Sequence, residues 1–155
     1  MNAVHEKWMR LALEQARKAE ALDEVPIGAV IVCDDKLIGL GRNAKEKSGR
    51  TIAHAEIEAL LDYNKQSGQW RLPPETSLYV TLEPCMMCTG AFLSARVSQI
   101  YFGCKDTKNA GLLRVKPWIE SNVFDHIPLQ LSGGILEEEC SQILSQYFRK
   151  KRTSR

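Results

Sequence analysis

Helical and strand patterns alternate along this chain, and this alternation restricts its fold more than any other feature. Apolar residues recur at helical spacing over residues 4–22, and two β-branched or apolar runs then flank an Asp34-Asp35-Lys36 turn within residues 26–43. Helices that alternate with strands pack on both faces of a sheet. The sequence therefore predicts an α/β fold, a three-layer α/β/α sandwich.

The remaining predicted elements follow from the same periodicities. On the helix predicted over residues 53–65, Ile57, Leu60 and Leu61 mark the apolar face. Beyond the hairpin, the chain is expected to form a polar loop over 45–52, helices over 53–65, 85–95, 117–123 and 135–151, strands over 77–82, 98–104 and 126–132, and a long loop over 106–117.

Length and composition indicate one domain. A chain of 155 residues with 44% hydrophobic and 26% charged residues is typical of a single soluble globular unit. No apolar run reaches the roughly 20 residues of a membrane span, and the first ten residues contain no signal-peptide pattern. We therefore expect no membrane association and a cytoplasmic location.

Charge is distributed unevenly between the body of the chain and its end. The net charge is +2, but five positive charges lie in residues 149–155, which leaves −3 on residues 1–148. The expected division is a domain over 1–148 and a basic C-terminal extension of the last helix over 149–155. Such a tail is either a contact for a polyanion such as nucleic acid or a disordered, solubilising end.

Two short motifs carry the chemistry. His54 and Glu56 form an H-x-E pair, and Pro84 precedes a C-x-x-C pair of Cys85 and Cys88. Two thiolates and one imidazole make a three-ligand zinc set, and a catalytic zinc site keeps its fourth position for water. A fourth protein ligand is not expected, because the other cysteines lie near apolar segments and the other histidines are isolated: Cys33, Cys104, Cys140, His5 and His126.

The spacing of these residues sets a geometric requirement. Cys85 and Cys88 are three apart in the first turn of a helix, so they share a face, and the helix N-terminus favours thiolates. His54 and Glu56 are two apart, so they can share a site only above a helix N-terminus. Glu56, beside the metal and not bound to it, could then carry a proton between water and a leaving group.

A C-x-x-C pair alone could be a redox pair, and an H-x-E pair alone is a weak signal. Together, with proline before the first cysteine, they are the signature of the zinc nucleobase deaminases. Across nearly its whole length the chain resembles the bacterial tRNA-specific adenosine deaminases. The segments that carry the resemblance are "WMRLAL", "EVPIGAVIV", "IGLGRN", "AHAEIEAL", "LYVTLEPCMMC", "YFGCKD" and "GGILEEECSQILSQYFRKKR".

This resemblance implies a cytidine deaminase-like fold with a five-stranded mixed sheet of order 2-1-3-4-5. It implies hydrolytic deamination of the wobble adenosine to inosine in a tRNA anticodon stem-loop, with one Zn2+ per chain. It also implies a homodimer, with the RNA bound across the subunit interface.

Residue by residue, the resemblance assigns the zinc ligands to His54, Cys85 and Cys88 and the proton shuttle to Glu56. It assigns substrate binding to a further set, in which Asp106 lies near the ribose of the bound nucleotide: Asn43, Ile27, Ala55, Pro84 and Asp106. In this context the basic tail is expected to contact RNA phosphates through Arg149, Lys150, Lys151 and Arg152.

The chain departs from the family at two places. Ile52 stands between Thr51 and Ala53, so that threonine lies three residues before His54 and not the usual two, and the segment Thr107–Val115 is bulkier and more basic than usual. Two other functions remain open on the residues alone. The same zinc set would serve a deaminase of a free base or nucleoside, such as guanine or cytidine, or a non-catalytic subunit that positions RNA.

Overall fold

The computed structural model describes residues 2–108, 111–121 and 129–154. Within these residues, five strands form one mixed sheet of order β2-β1-β3-β4-β5. In chain order, the elements are α1 (Ala3–Ala21), β1 (Gly28–Cys33), β2 (Lys36–Arg42), α2 (Lys45–Ser48), α3 (Ala55–Ser67), β3 (Ser77–Leu82), α4 (Met86–Ser94), β4 (Gln99–Cys104), α5 (Gly111–Glu120), β5 (Gln130–Ser132) and α6 (Glu137–Thr153).

The pairing of the strands determines which loops meet. β1 is antiparallel to both β2 and β3, whereas β4 is parallel to β3 and β5 is parallel to β4. This order confirms the predicted sheet. Because β3 and β4 are parallel, their carboxyl ends lie at one edge of the sheet, and that edge is where ligands bind in such folds. The segments after these strands, 83–85 and 105–106, are therefore neighbours.

Two apolar cores lie on opposite faces of the sheet, as a three-layer sandwich requires. On one face, side chains of β1, β3 and β4 pack against α3 and α4, with Ile31, Leu78 and Phe92 fully buried. On the other face, α1 and α6 cover the sheet, with Met9 and Cys140 fully buried. The predicted α/β/α architecture is confirmed.

The face by which α3 packs differs from the prediction. Leu61 is 45% exposed, whereas Ala55 and Ala59 are fully buried. A β-carbon at Gly41 would overlap the backbone nitrogen of Ala59 and the carbonyl oxygen of Ala55. Small residues on both elements let the backbones of α3 and β2 approach closely. Leu61 is consequently left outside, whereas Leu60, also on the predicted face, packs against the core.

The segment predicted as a polar loop over 45–52 contains the one-turn helix α2. Its exposed N–H groups are held by a side chain 22 residues earlier in the sequence. Glu24, 1% exposed, accepts hydrogen bonds from Glu46 N–H (3.1 Å) and Lys47 N–H (2.6 Å). A helix end satisfied from so far away leaves no local pattern in the sequence.

The long loop predicted over 106–117 is wrong over most of its length, because α5 begins at Gly111 and contains Pro117. The helix predicted over 117–123 therefore starts six residues too late. Proline lacks the N–H that a helix interior uses, yet the last turn of α5 is closed by the hydrogen bond from Ser121 N–H to the Pro117 carbonyl (3.0 Å). Residues 126–128 of the last predicted strand, including His126, lie outside the described residues.

Helix α6 continues to Thr153 and so includes most of the basic segment. Lys151 forms an ion pair with Asp23 at 2.7 Å, and Tyr147 donates a hydrogen bond to the Asp23 carbonyl (3.2 Å). Among the described helices, none has a stretch long and apolar enough to span a membrane.

A glycine substitution tests the contact between α1 and β1. A β-carbon at Gly28 would overlap the Ala12 carbonyl oxygen, so Gly28→Ala must push the helix from the sheet. We expect a loss of about 1–3 kcal/mol in the free energy of unfolding. At Gly90 in α4 the added carbon meets no atom within 4 Å, and Gly90→Ala is expected to stabilise the helix by about 0.5–1 kcal/mol. Thermal unfolding of both variants measures the two shifts, and equal melting temperatures would contradict this packing.

Candidate active site

Two helices begin at the same point above the sheet edge. His54 is the N-cap of α3 and Cys85 is the N-cap of α4, and both residues have extended backbones (φ −76°, ψ 152° and φ −73°, ψ 174°). N-cap side chains commonly bind their own helix, but neither of these does. Both side chains are therefore available to a shared site. The geometric requirement of the H-x-E pair is met, because Glu56 lies in the first turn of α3.

The three predicted ligand side chains lie together. His54 Nδ1 is 3.7 Å from Cys85 Sγ and 3.5 Å from Cys88 Sγ, and all three donor atoms lie within 4.8 Å of one another. In tetrahedral zinc geometry a nitrogen and a sulfur ligand are separated by about 3.6 Å. The separations fit a metal ion at the centre of this cluster. The nitrogen that faces the thiols is Nδ1, a point that the sequence left undetermined.

The two thiols differ in their ionisation. The hydrogen bond from Cys88, with that from His54, lowers the pKa of Cys85 to about 4, and the hydrogen bond to Cys85 raises the pKa of His54. The pKa of Cys88 is raised, by its hydrogen bond to Cys85 and by burial. Without a metal, Cys85 is therefore the more acidic thiol of the pair, and thiolate ligation of a metal by both cysteines stays a prediction. Because a bound metal requires thiolates, metal binding must release the Cys88 proton.

Glu56 is the buried carboxyl group of the cluster. It is 4% exposed, and burial raises its pKa to about 7. A carboxyl group with such a pKa can both take and give a proton at neutral pH. Glu56 lines the same pocket as His54 and Cys85, which places the carboxyl group beside the ligand cluster.

A pocket of about 180 Å³ opens above this cluster. This volume has room for one nucleobase. Asn43 is 5% exposed and is held by the hydrogen bond from its N–H to the Ile27 carbonyl (3.1 Å). The residues that line the pocket are Val25, Ile27, Asn43, Lys45, His54, Glu56, Leu82, Glu83, Cys85 and Asp106. Among the predicted substrate-binding residues, Ala55 and Pro84 are buried and are not among the described lining residues.

A larger groove of about 740 Å³ adjoins the pocket and shares four of its residues: Val25, Ile27, Leu82 and Asp106. Its other walls are the segment 104–108 and one side of α6, from Ser141 to Arg152. Arg149, Lys151 and Arg152 line it, while Lys150 is not among the described lining residues. Lys151 already has Asp23 as a partner. The basic tail is thus part of the surface that leads to the pocket.

The cysteines and histidines excluded from the ligand set lie elsewhere in the described structure. Cys33, Cys104 and Cys140 are buried, as predicted for small core residues. His5 accepts or donates a hydrogen bond with Tyr79 (2.8 Å) and stacks near Tyr101, with ring centroids 4.3 Å apart. It is an ordinary packed histidine, as expected.

Sequence reasoning missed several pocket residues, and Glu83 is the most informative of them. It is 2% exposed, its N–H donates to the Cys104 carbonyl (2.8 Å), and its Oε1 accepts from the Asp106 N–H (3.2 Å). The only local signal was a charged residue between a buried strand and Pro84. Val25, Lys45 and Leu82 carried no signal at all.

Comparison with known proteins agrees with this geometry. The model of the MafB19-like deaminase family matches residues 3–152. A tRNA-specific adenosine deaminase of Haemophilus influenzae is 45% identical over 148 residues, covering 95% of this chain and 84% of that protein. The chain belongs to the bacterial tRNA-specific adenosine deaminases. It is accordingly a deaminase, and the resemblance found from the motifs is confirmed.

Solved structures give the same fold for this deaminase. A tRNA:A34 deaminase, studied for A-to-I editing at the wobble position of transfer RNA, superposes with a TM-score of 0.81 at 38% identity, covering 89% of this chain and 99% of that one. A guanine deaminase from Nitrosomonas europaea superposes with a TM-score of 0.77 at 23% identity, covering 92% and 83%. The second likeness is one of fold alone.

The ligand geometry generates a metal-content prediction. We expect the purified wild-type protein to carry one tightly bound metal ion, and we expect Cys85→Ala and Cys88→Ala, each of which removes one of three donors, to lose it. Cys33→Ala removes a buried thiol outside the cluster and is expected to keep it. Elemental analysis of the purified proteins measures the difference. Full metal content in Cys85→Ala, or none in the wild type, would contradict the assignment.

Proposed function

We propose that this deaminase converts the wobble adenosine of a tRNA anticodon loop to inosine by hydrolytic deamination, with one zinc ion per chain. One observation carries the proposal: a buried carboxyl group and a His-Cys-Cys cluster lie at the bottom of a pocket for a single base, and that pocket opens into a basic groove. The 45% identity to a tRNA-specific adenosine deaminase supports it.

The size of the pocket bears on how the substrate enters. A volume of about 180 Å³ excludes a stacked pair of bases. An RNA substrate must therefore turn the target adenosine out of its stack, which costs least in a single-stranded loop. An anticodon loop supplies such a base.

His54 Nδ1, Cys85 Sγ and Cys88 Sγ would hold the zinc ion. When bound, zinc lowers the pKa of a coordinated water to about 7 and so supplies hydroxide at neutral pH. The positive ends of α3 and α4 stabilise the negative charge that the thiolates bring to the site.

Glu56 acts as the proton shuttle. Its position beside the ligands and its pKa near 7 allow it to make two transfers: it takes a proton from the attacking water and gives it to N1 of the adenine, and it then takes the proton of the new C6 hydroxyl and gives it to the amino group, which leaves as ammonia. Burial keeps the carboxyl group in a low-dielectric environment, where each proton transfer is directed to the bound base and not to bulk water.

The remaining pocket residues orient the base and its sugar. Asn43, held by the Ile27 carbonyl, offers an amide to the ring nitrogens of the base, while Ile27 offers apolar contact. Ala55 and Pro84 do not line the pocket in the described structure; Ala55 follows His54 with its backbone, and Pro84 directly precedes Cys85 at the start of α4. Asp106, at the junction of pocket and groove, faces the ribose.

We also propose a homodimer, located in the cytoplasm where tRNA is used. Met86 and Met87 follow the zinc ligand Cys85 directly and are 48% and 38% exposed, and Ile52 is 51% exposed. Apolar side chains exposed beside a site are typical of surfaces that another subunit covers. Light scattering measures the assembly.

A deaminase of free bases or nucleosides is the rival function, since a guanine deaminase shares the fold. Such a substrate has no use for the basic groove. A non-catalytic RNA-positioning subunit is disfavoured by the buried Glu56. Incubation of the wild-type protein with an adenine-wobble tRNA, and in parallel with free adenosine, guanine and cytidine, tests the proposal: deamination of tRNA alone supports it, and deamination of a free base alone overturns it.

Replacing the proton shuttle tests the role of Glu56. We expect Glu56→Gln to keep its metal and fold but to lose turnover on tRNA by on the order of 10²–10⁴-fold, because no group remains to move the proton. Glu58→Gln, on the same helix and paired with Arg50 at 2.7 Å, is the matched control and should retain activity. Near-normal turnover of Glu56→Gln rules out its proposed role.

The groove predicts which tail residues bind RNA. We treat 1–148 as the deaminase domain and 149–155 as its RNA-binding extension. Because Arg149 and Arg152 line the groove, Arg149→Ala/Arg152→Ala should weaken tRNA binding and reduce the log–log salt slope by roughly 0.7–0.9 for each phosphate that is no longer neutralised. This variant leaves the Lys151–Asp23 ion pair in place, so the melting temperature should not change.

Lys150→Ala is the matched control for the tail, since Lys150 is exposed and is not among the described groove residues. We expect a smaller effect on the salt slope than from either arginine. Tail arginines that leave tRNA affinity unchanged at two salt concentrations would mean that the tail is only a solubilising end.

A further inference from the structure

Glu83 has a carboxylate oxygen that no protein group satisfies. Within the described residues, Glu83 Oε2 is buried and has no hydrogen-bond partner. The rest of the residue is held firmly, because its N–H donates to the Cys104 carbonyl (2.8 Å) and its Oε1 accepts from the Asp106 N–H (3.2 Å). A buried acceptor left without a donor destabilises the folded protein, so such groups are rare unless a ligand completes them.

The position of Glu83 indicates where that donor comes from. Glu83 lines the pocket together with Glu56, Cys85 and Asp106. Through Asp106 it is tied to the junction at which the pocket opens into the basic groove, which Asp106 also lines. A nucleotide in the pocket would have its base toward Glu56 and Cys85 and its sugar toward this junction.

The chemistry of an adenosine within RNA restricts the donor further. Its hydrogen-bond donors are the N6 amino group and the ribose 2′-hydroxyl. The amino group is the one that leaves, so it must lie near Glu56 and the ligand cluster. The 2′-hydroxyl is the donor that remains for the other end of the pocket.

We infer that Glu83 is a further specificity-determining residue, whose Oε2 accepts a hydrogen bond from a ribose 2′-hydroxyl of the bound RNA. This inference rests on the proposed function. Glu83 thereby contributes to the choice of RNA over DNA, since the 2′-hydroxyl is the group by which a protein distinguishes them. Its second oxygen keeps the Asp106 backbone in place at the same junction.

The test compares two substrates and two variants. The substrates are an adenine-wobble anticodon stem-loop of RNA and the same stem-loop with deoxyribose at the target adenosine and both neighbours. Glu83→Gln keeps an acceptor for the Asp106 N–H but replaces the Oε2 acceptor by an amide donor. Glu14→Gln, an exposed carboxylate on α1, is the matched control.

We expect the wild-type protein and Glu14→Gln to prefer the RNA stem-loop in kcat/KM. For Glu83→Gln, kcat/KM on the RNA stem-loop should fall by on the order of tenfold relative to the wild type, whereas kcat/KM on the deoxyribose stem-loop should stay close to the wild-type value. The RNA preference should therefore fall by about the same factor. If Glu83 only supported the fold, both substrates would lose equally. A preference within threefold of the wild-type value, or a wild-type protein without preference, overturns the inference.

Two measurements keep the outcome clear. Affinity for both stem-loops, measured in a Glu56→Gln background, gives the same preference without turnover. The melting temperature of Glu83→Gln should not fall below that of the wild type, because Glu83 Oε2 has no protein partner among the described residues. A Glu83→Gln variant that no longer folds would show that Oε2 has a protein partner, and would overturn the inference. If the wild-type protein deaminates neither stem-loop, the proposed function itself fails, whereas wild-type activity with an unchanged preference refutes only the role of Glu83.

Discussion

The N-termini of α3 and α4 meet at one edge of the sheet, and the chemistry of this molecule depends on that contact. Helix N-termini carry unsatisfied N–H groups and partial positive charge. Here they converge on His54 and Cys85, whose side chains are 3.7 Å apart and do not cap their own helices. The partial positive charges of the two helix N-termini would repel each other, and the negative charge of the Cys85 thiolate between them balances this repulsion. A metal ion between these side chains would tie the two helices together.

The sheet brings this contact and the substrate surface into register. Because β3 and β4 are parallel, the segment 83–85 after β3 and Asp106 after β4 lie at the same edge of the sheet. The hydrogen bond from the Asp106 N–H to Glu83 joins the two segments. The antiparallel hairpin contributes Ile27 and Asn43 from the other side. Each wall of the pocket therefore comes from a different loop, while the elements that hold these loops are packed through two apolar cores.

Buried carboxyl groups have different roles in the same small domain. Glu24 has both oxygens satisfied by backbone N–H groups and is structural. Glu56 has its pKa raised to about 7 by burial, which suits proton transfer. Glu83 keeps one oxygen without a partner among the described residues, which suits ligand binding. The three glutamates have the same side chain, so their different roles come from the hydrogen-bond donors that surround each carboxyl group.

Periodicity and the spacing of two motifs are local signals, so the fold class and the cluster of His54, Cys85, Cys88 and Glu56 could be predicted from the amino-acid order; the family resemblance added the sheet order. Other features depend on contacts between distant segments. The α2 turn depends on Glu24, 22 residues away, the packed face of α3 depends on glycines in β2, and α5 continues through Pro117. The partners of Lys151 and Glu83 likewise arise from segments that only folding brings together. Local pattern specifies which chemical groups the chain carries, whereas long-range contacts decide which of them remain free to act.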